Sequence, residues 1–159
     1  MTATFYNIAL VTHVIGITIM AGTTFIDFIT FRAFCTVLKT DKDKSLVLEN
    51  YLYRLQRFLG IGMLVILASG VTMMVKLHEV WGVQLWFRIK MGVLLLIIIN
   101  GLGLRRMMGA RLKKALPRLL LNNSFDKQWN SLKINFTIVQ AIQMLLFIII
   151  YVLSVFKFA

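Results

Sequence analysis

FLGIGMLVILASGVTMMV, residues 58–75, decides the fold. The stretch holds no charged side chain, and its length suits a helix crossing a bilayer core of about 30 Å, which takes about 20 mostly apolar residues. Segments 6–31, 83–104 and 134–156 have the same character. The first carries His13 and Asp27, the third carries Arg88 and Lys90, and the fourth is uncharged. In lipid every backbone donor and acceptor needs a partner within the protein, and with no alternating strand pattern the helix is the remaining solution. The chain therefore reads as an all-α, integral membrane four-helix bundle, a single transmembrane domain over residues 1–159.

Composition points the same way. Of 159 residues, 59% are hydrophobic and 15% charged, with mean hydropathy +0.82; soluble domains run near 45–50% and about 25%. Lys and Arg number 18 against 6 Asp and Glu. Such an excess can signal nucleic acid, but here the basic residues cluster between the apolar segments, so the expected partner is membrane lipid and not nucleic acid. Residues 1–30 lack a basic leader and a small-residue cleavage site and read as a retained helix, not a signal peptide. Cys35 is the single cysteine, which excludes an intrachain disulfide, and no Cys/His spacing resembles a zinc site.

Four spans put both termini on one side with the short connection 76–82. The two longer connections lie opposite and hold 14 of the 18 basic residues, leaving Lys76, Arg88, Lys90 and Lys157 on the terminal side. Positive-inside bias then places both termini on the outer, periplasmic face of a bacterial inner membrane. Residues 39–45 read as a polar turn and 46–57 as a helical run into the second span. Residues 105–116 extend the third span until Pro117, and Asn122, Asn123 and Ser124 turn the chain back. Gly60, Gly62, Ser69 and Gly70, with Gly101 and Gly103, read as small residues for close helix packing.

Ionisable residues inside a span cost about 2.5 to 3.5 kcal/mol on insertion scales and call for a partner, a cavity or a function. His13 heads a stripe with Gly16, Met20, Thr23 or Thr24, and Asp27 on one helix face. Helical rise separates His13 from Asp27 by about 21 Å, so they belong to different sites. Asp27 has candidate partners in Arg54, Arg57 and Arg32, in a register-fixing ion pair or a proton relay. Lys90 falls at the depth of His13; it either snorkels outward with Arg88 or completes a cationic pocket for a carboxylate, with Trp81 and Trp86 lining the mouth or anchoring the interface. On the fourth span Gln140, Gln143, Met144, Phe147 and Tyr151 share much of one side, for interhelical hydrogen bonds or ligand contact.

An inward histidine in such a bundle fits a haem iron ligand, with propionates drawn to Lys90 or Arg88; the alternative is a histidine hydrogen-bonded within the bundle. No second axial ligand stands out. His78 sits in the short connection, Met20 lies about 10 Å along the helix from His13, and the remaining candidates are Met73, Met74, Met144, neutral Lys90, water or a second subunit. Copper transport would call for clustered Met or Cys, and the nine methionines are scattered along the chain apart from two adjacent pairs.

Several stretches together resemble the membrane-embedded protoporphyrinogen oxidases of the HemJ type and, more distantly, the copper-resistance CopD-like domains. They are H-V-I-G at 13–16 followed by Ala21 and Gly22, Y-L-Y-R-L at 51–55 before a span ending in Ser69 and Gly70, W-F-R-I-K at 86–90, Asn135, and the closing V-F-K-F at 155–158. The resemblance implies a four-helix inner-membrane protein binding haem b, with His13 and Lys90 matching the family's essential histidine and lysine. It implies oxidation of protoporphyrinogen IX to protoporphyrin IX, with electrons passed to a respiratory-chain partner. The expected site is therefore His13 as catalytic residue and metal ligand, Lys90 as catalytic residue and porphyrin contact, and Arg88, Met144 and Tyr151 around the cofactor, with a homodimer as one way to enclose it. A non-enzymatic electron-transfer or assembly subunit is the alternative, and copper transport a third.

Overall fold

The computed structural model describes residues 3–81, 84–122 and 127–156, and these are all-helical apart from short turns. Helix α1 is Ala3–Val37, α2 is Lys42–Trp81 and α3 is Leu85–Ile98. A π-helical segment, Ile99–Leu104, leads into α4 at Arg105–Asn122, and α5 is Lys127–Val155. Because α3, the π segment and α4 are continuous, four stretches are long and apolar enough to cross a membrane: Thr4–Val37, Lys42–Val75, Leu85–Leu120 and Lys127–Val155. Residues early in α1 and α3 meet residues late in α2 and α5, so neighbouring rods run antiparallel, as a four-span bundle requires.

The rods are longer than the apolar segments suggest. A helix of 34 residues rises about 50 Å, against a hydrocarbon core of about 30 Å. The surplus lies mostly at the basic end, where the helices become amphipathic and keep a core of their own. Phe31, Phe34, Leu38, Leu52, Leu112, Leu116, Trp129 and Phe136 are buried there, with Phe31 and Phe136 stacked at 4.0 Å between ring centroids. A second core of Met20, Leu59, Met63, Ile66, Ile97 and Phe147 fills the apolar half. Side chains such as Ile15, Leu64, Leu95 and Leu145 stay exposed, as lipid-facing positions do.

Three sequence expectations change here. The connection at 76–82 is helical as far as Trp81, because no Pro, Gly or Asn interrupts it before Gly82. The turn at 39–45 is shorter than expected: Asp41 Oδ1 accepts the Lys44 N–H at 3.0 Å and starts α2 at Lys42. That contact, from the Lys44 amide first, holds the Asp41 carboxyl below the usual carboxylate range. Pro117 does not end its helix, which continues to Asn122. It is exposed, while Leu116 and Leu119 on either side are buried in the basic-end core; the missing N–H is one bond lost against two anchored side chains. Lys42 Nζ also donates to the Leu120 carbonyl at 2.6 Å, satisfying an acceptor in the last turn. Gly82, Asn123, Ser124 and Lys157, and the side chains of Lys76, His78, Trp81 and Asn122, lie outside the described residues.

Helices α1 and α2 pack closely along their length. A Cβ at Gly16 would stand 3.0 Å from Val65 and Ile66 side-chain carbons, and one at Gly62 would stand 3.2 Å from the Met20 backbone nitrogen. Gly60 and Gly103 meet nothing within 4 Å, so the packing role expected of them does not hold; both face outward from the contact.

Candidate functional site

The α1–α2 contact holds the His13 ring against α2. Its Nδ1 lies 3.1 Å from the Ile66 carbonyl oxygen. A carbonyl only accepts, so Nδ1 carries the ring proton. Ser69 Oγ, 3.0 Å from the same nitrogen, gives its own hydrogen to the Val65 carbonyl at 2.6 Å and so accepts from the ring as well. In the neutral imidazole this leaves the lone pair on Nε2, the tautomer that a backbone acceptor at Nδ1 selects where histidine binds a metal.

The ring lines a cavity enclosing about 140 Å³, whose walls come from α1, α2, α3 and α5. Lys90 and Tyr151 line the same cavity, so three of the five expected site residues come together. Arg88 and Met144 are absent from the lining: Arg88 is exposed and Met144 half-buried. Trp86 does not line the cavity either. It is buried, its indole N–H donates to Gln84 Oε1, and its ring meets Phe87 edge-on at 5.7 Å, so Phe87 and not Trp86 reaches the cavity wall.

Methionine is the feature that linear order concealed. Met20, Met73, Met74 and Met91 all line the cavity, so four of the nine methionines scattered in sequence gather around one histidine. Met20, two turns along α1 from His13, is among them. Among the described residues, no group of three or more His, Cys, Asp or Glu gathers to hold a metal; the donors available here are one imidazole and several thioethers.

These residues fit a haem in donor chemistry: Nε2 for iron, thioethers as second axial candidates, and an ammonium for a carboxylate. The enclosed space is below the roughly 300–1,000 Å³ of drug-sized ligand sites and takes in only part of a macrocycle. The rest would lie at the open side, where Val71, Met91 and Tyr151 are 62%, 41% and 46% exposed.

A separate polar centre lies towards the basic end. Asp27 is buried, and its partner is Arg105, not Arg54, Arg57 or Arg32. Nε and Nη2 of Arg105 donate to the two Asp27 oxygens at 2.8 and 2.6 Å, and Gln140 Nε2 donates to Oδ2 at 2.7 Å. The guanidinium also lies over the Phe136 ring at 4.3 Å. Arg32 instead covers Phe28 and Arg57 covers Tyr53. The π segment explains the exchange: the Arg105 N–H reaches back to the Asn100 carbonyl, and this widened turn offsets the face of α4 from that of α3. Asn100, which sequence reasoning passed over, donates to the Val139 carbonyl at 2.9 Å and to Gln143 Oε1 at 2.7 Å. Gln140 and Gln143 thus serve interhelical hydrogen bonds.

Comparison of the chain with family models, curated proteins and solved structures finds no match. The reading of function accordingly rests on the residues and their geometry.

Proposed function

We propose that the chain is a haem-associated redox protein of a bacterial inner membrane, with the His13 cavity as its tetrapyrrole site. One observation carries the reading: the His13 ring is held at Nδ1 by the Ile66 carbonyl, which leaves Nε2 for iron in an apolar cavity that Lys90 shares. The excess of basic residues on the two longer connections supports both termini facing outward, which puts this cavity in the outer half of the bilayer. When bound, haem supplies a one-electron carrier. His13 then fixes it, Ser69 and Ile66 orient the ring, Lys90 pairs with a carboxylate, and the apolar walls keep water away.

The HemJ-type resemblance extends the proposal to protoporphyrinogen IX as substrate. Its conversion to protoporphyrin IX releases six electrons and six protons, the electrons passing to a respiratory-chain acceptor. Lys90 suits a porphyrinogen carboxylate as well as a propionate. The alternative within this reading is an electron-transfer subunit without the oxidase reaction.

Absorption spectra of the detergent-purified protein, oxidised and dithionite-reduced, test haem binding beside His13→Ala. The expected result is a Soret band with sharp reduced α and β bands, lost in the variant. An unchanged variant spectrum removes His13 as ligand, and no Soret band after haem is added back removes the haem reading. Complementation of a strain lacking its own oxidase tests the reaction: failure by a well-expressed, membrane-inserted protein leaves haem binding and removes the enzyme.

The gathered methionines favour a second reading. An imidazole with thioethers is a soft donor set suited to copper(I), and an ion needs less space than a macrocycle. Copper(I) retained by the wild type and lost in Met73→Leu/Met74→Leu, with no Soret band in either, would place this reading first.

A further inference from the structure

At the end opposite the His13 cavity, α4 and α5 part to leave a groove of about 500 Å³. Arg111, Lys114 and Arg118 line it from α4, at spacings that keep them on neighbouring turns of one side. The α5 wall offers the polar side chains Gln128, Ser131 and Asn135, spaced three and four apart on one face. Trp129, 4% exposed, makes an apolar floor with the small side chain of Ala115. Among the described residues, no acidic side chain lines the groove. Among the described residues, none of the three cations has an ion pair, hydrogen bond or ring contact.

The neighbouring groove between α2 and α4 is built differently. Arg57 and Lys113 there lie over the Tyr53 ring at 5.1 and 5.6 Å, and Glu49 shares the lining. Arg57 and Lys113 are thus engaged within the protein and the charge is partly offset, although Arg106 also lines that groove. The α4–α5 groove brings together three cations without an acidic partner among the described residues, beside polar donors and an apolar floor, a combination that asks for an anion attached to something apolar.

We propose that the α4–α5 groove binds the phosphate-bearing headgroup of an anionic phospholipid. Arg111 and Arg118 supply planar donors matched to phosphate oxygens and Lys114 a third positive charge. Gln128, Ser131 and Asn135 donate to headgroup oxygens, and the floor of Ala115 and Trp129 takes the first carbons of the glycerol ester. A lipid suits the site better than free phosphate because the groove adjoins the apolar part of the rods and half its wall is apolar.

Native mass spectrometry of the detergent-purified full chain, titrated with phosphatidylglycerol, phosphatidylcholine or glycerol phosphate, tests this. Phosphatidylglycerol is expected to bind at least ten-fold more tightly than the other two. Arg111→Gln/Lys114→Gln/Arg118→Gln is expected to lose about ten-fold or more. Arg57→Gln/Arg106→Gln/Lys113→Gln, which removes the same charge from the adjacent groove, is expected to lose less than about three-fold. Ala115→Trp fills the floor without touching a charge and is expected to lose binding too. An equal loss in both triple variants, or unchanged binding in Ala115→Trp, overturns the site. Glycerol phosphate binding as tightly as phosphatidylglycerol overturns the lipid as its occupant.

Discussion

Arg105 holds Asp27 through two parallel hydrogen bonds of 2.8 and 2.6 Å, with both side chains almost completely buried. The pair joins α1 to α4, and Gln140 joins α5 to the same carboxylate. Buried pairs of this kind cost desolvation, so their removal is most damaging when one charge is left behind. Asp27→Leu and Arg105→Met are each expected to lose about 3–5 kcal/mol of stability. The double variant Asp27→Leu/Arg105→Met is expected to lose less than the sum of the two, because neither ion is then stranded. Thermal unfolding in detergent measures this; additive losses would mean that the two residues act independently.

The spans, the antiparallel order and the inward face of α1 were legible because hydrophobic periodicity and charge exclusion are local properties. His13 and Lys90 could be set at one depth by counting turns. The Asp27 partner was not legible, because counting turns assumes a regular helix and the π segment at Ile99–Leu104 breaks that count just before Arg105. The helices' extension at the basic end was legible for residues 46–57 and 105–116. It was not for 32–37, 117–122 and 127–133, where Arg32, Pro117 and Lys133 close the apolar windows although Phe34, Leu119 and Trp129 continue the buried stripe. The methionine cluster depends on turns of three separate helices converging, which no linear spacing encodes.

Close packing of α1 on α2 separates glycines that look alike in sequence. At Gly62 a new methyl group meets the Met20 backbone and the Gly16 carbonyl at 3.2 and 3.3 Å, neither of which can move alone. Gly62→Ala is expected to destabilise by about 1–3 kcal/mol through overpacking. Gly60→Ala and Gly103→Ala meet open space and gain helix propensity, so their melting temperatures should equal or exceed the wild type. A Gly62→Ala protein that melts no lower than Gly60→Ala would show that the α1–α2 contact has room for a methyl group.

Ser69 serves the proposed site through the His13 ring. Since its hydroxyl accepts from Nδ1 while donating to Val65, Ser69→Ala removes one of two acceptors and leaves the Ile66 carbonyl. Second acceptors of this kind typically change metal affinity by about 10- to 100-fold. Ser69→Ala is expected to keep the haem spectrum but to release haem faster to apomyoglobin, whereas Thr, which retains a hydroxyl, restores slow release. Equal release rates in wild type and Ser69→Ala would remove the serine from the positioning of His13.

Asn100 contributes through Nδ2 alone, because its Oδ1 has no partner among the described residues. Its two hydrogen bonds tie the π segment to α5 at Val139 and Gln143. Interhelical bonds in membranes average about 0.6 kcal/mol with an upper range near 2, and a stranded Gln143 oxygen adds to the cost. Asn100→Leu is expected to lose about 1–2 kcal/mol, and Asn100→Leu/Gln143→Leu to recover part of that loss because no buried acceptor of that pair is then left unsatisfied. The same substitutions should weaken the Asp27 pair, since Asn100 lies in the widened turn that sets the direction of Arg105. A double-mutant cycle between Asn100→Leu and Arg105→Met reads that link: a coupling above about 0.5 kcal/mol is expected, and none at all would mean that the π turn is held by the backbone alone.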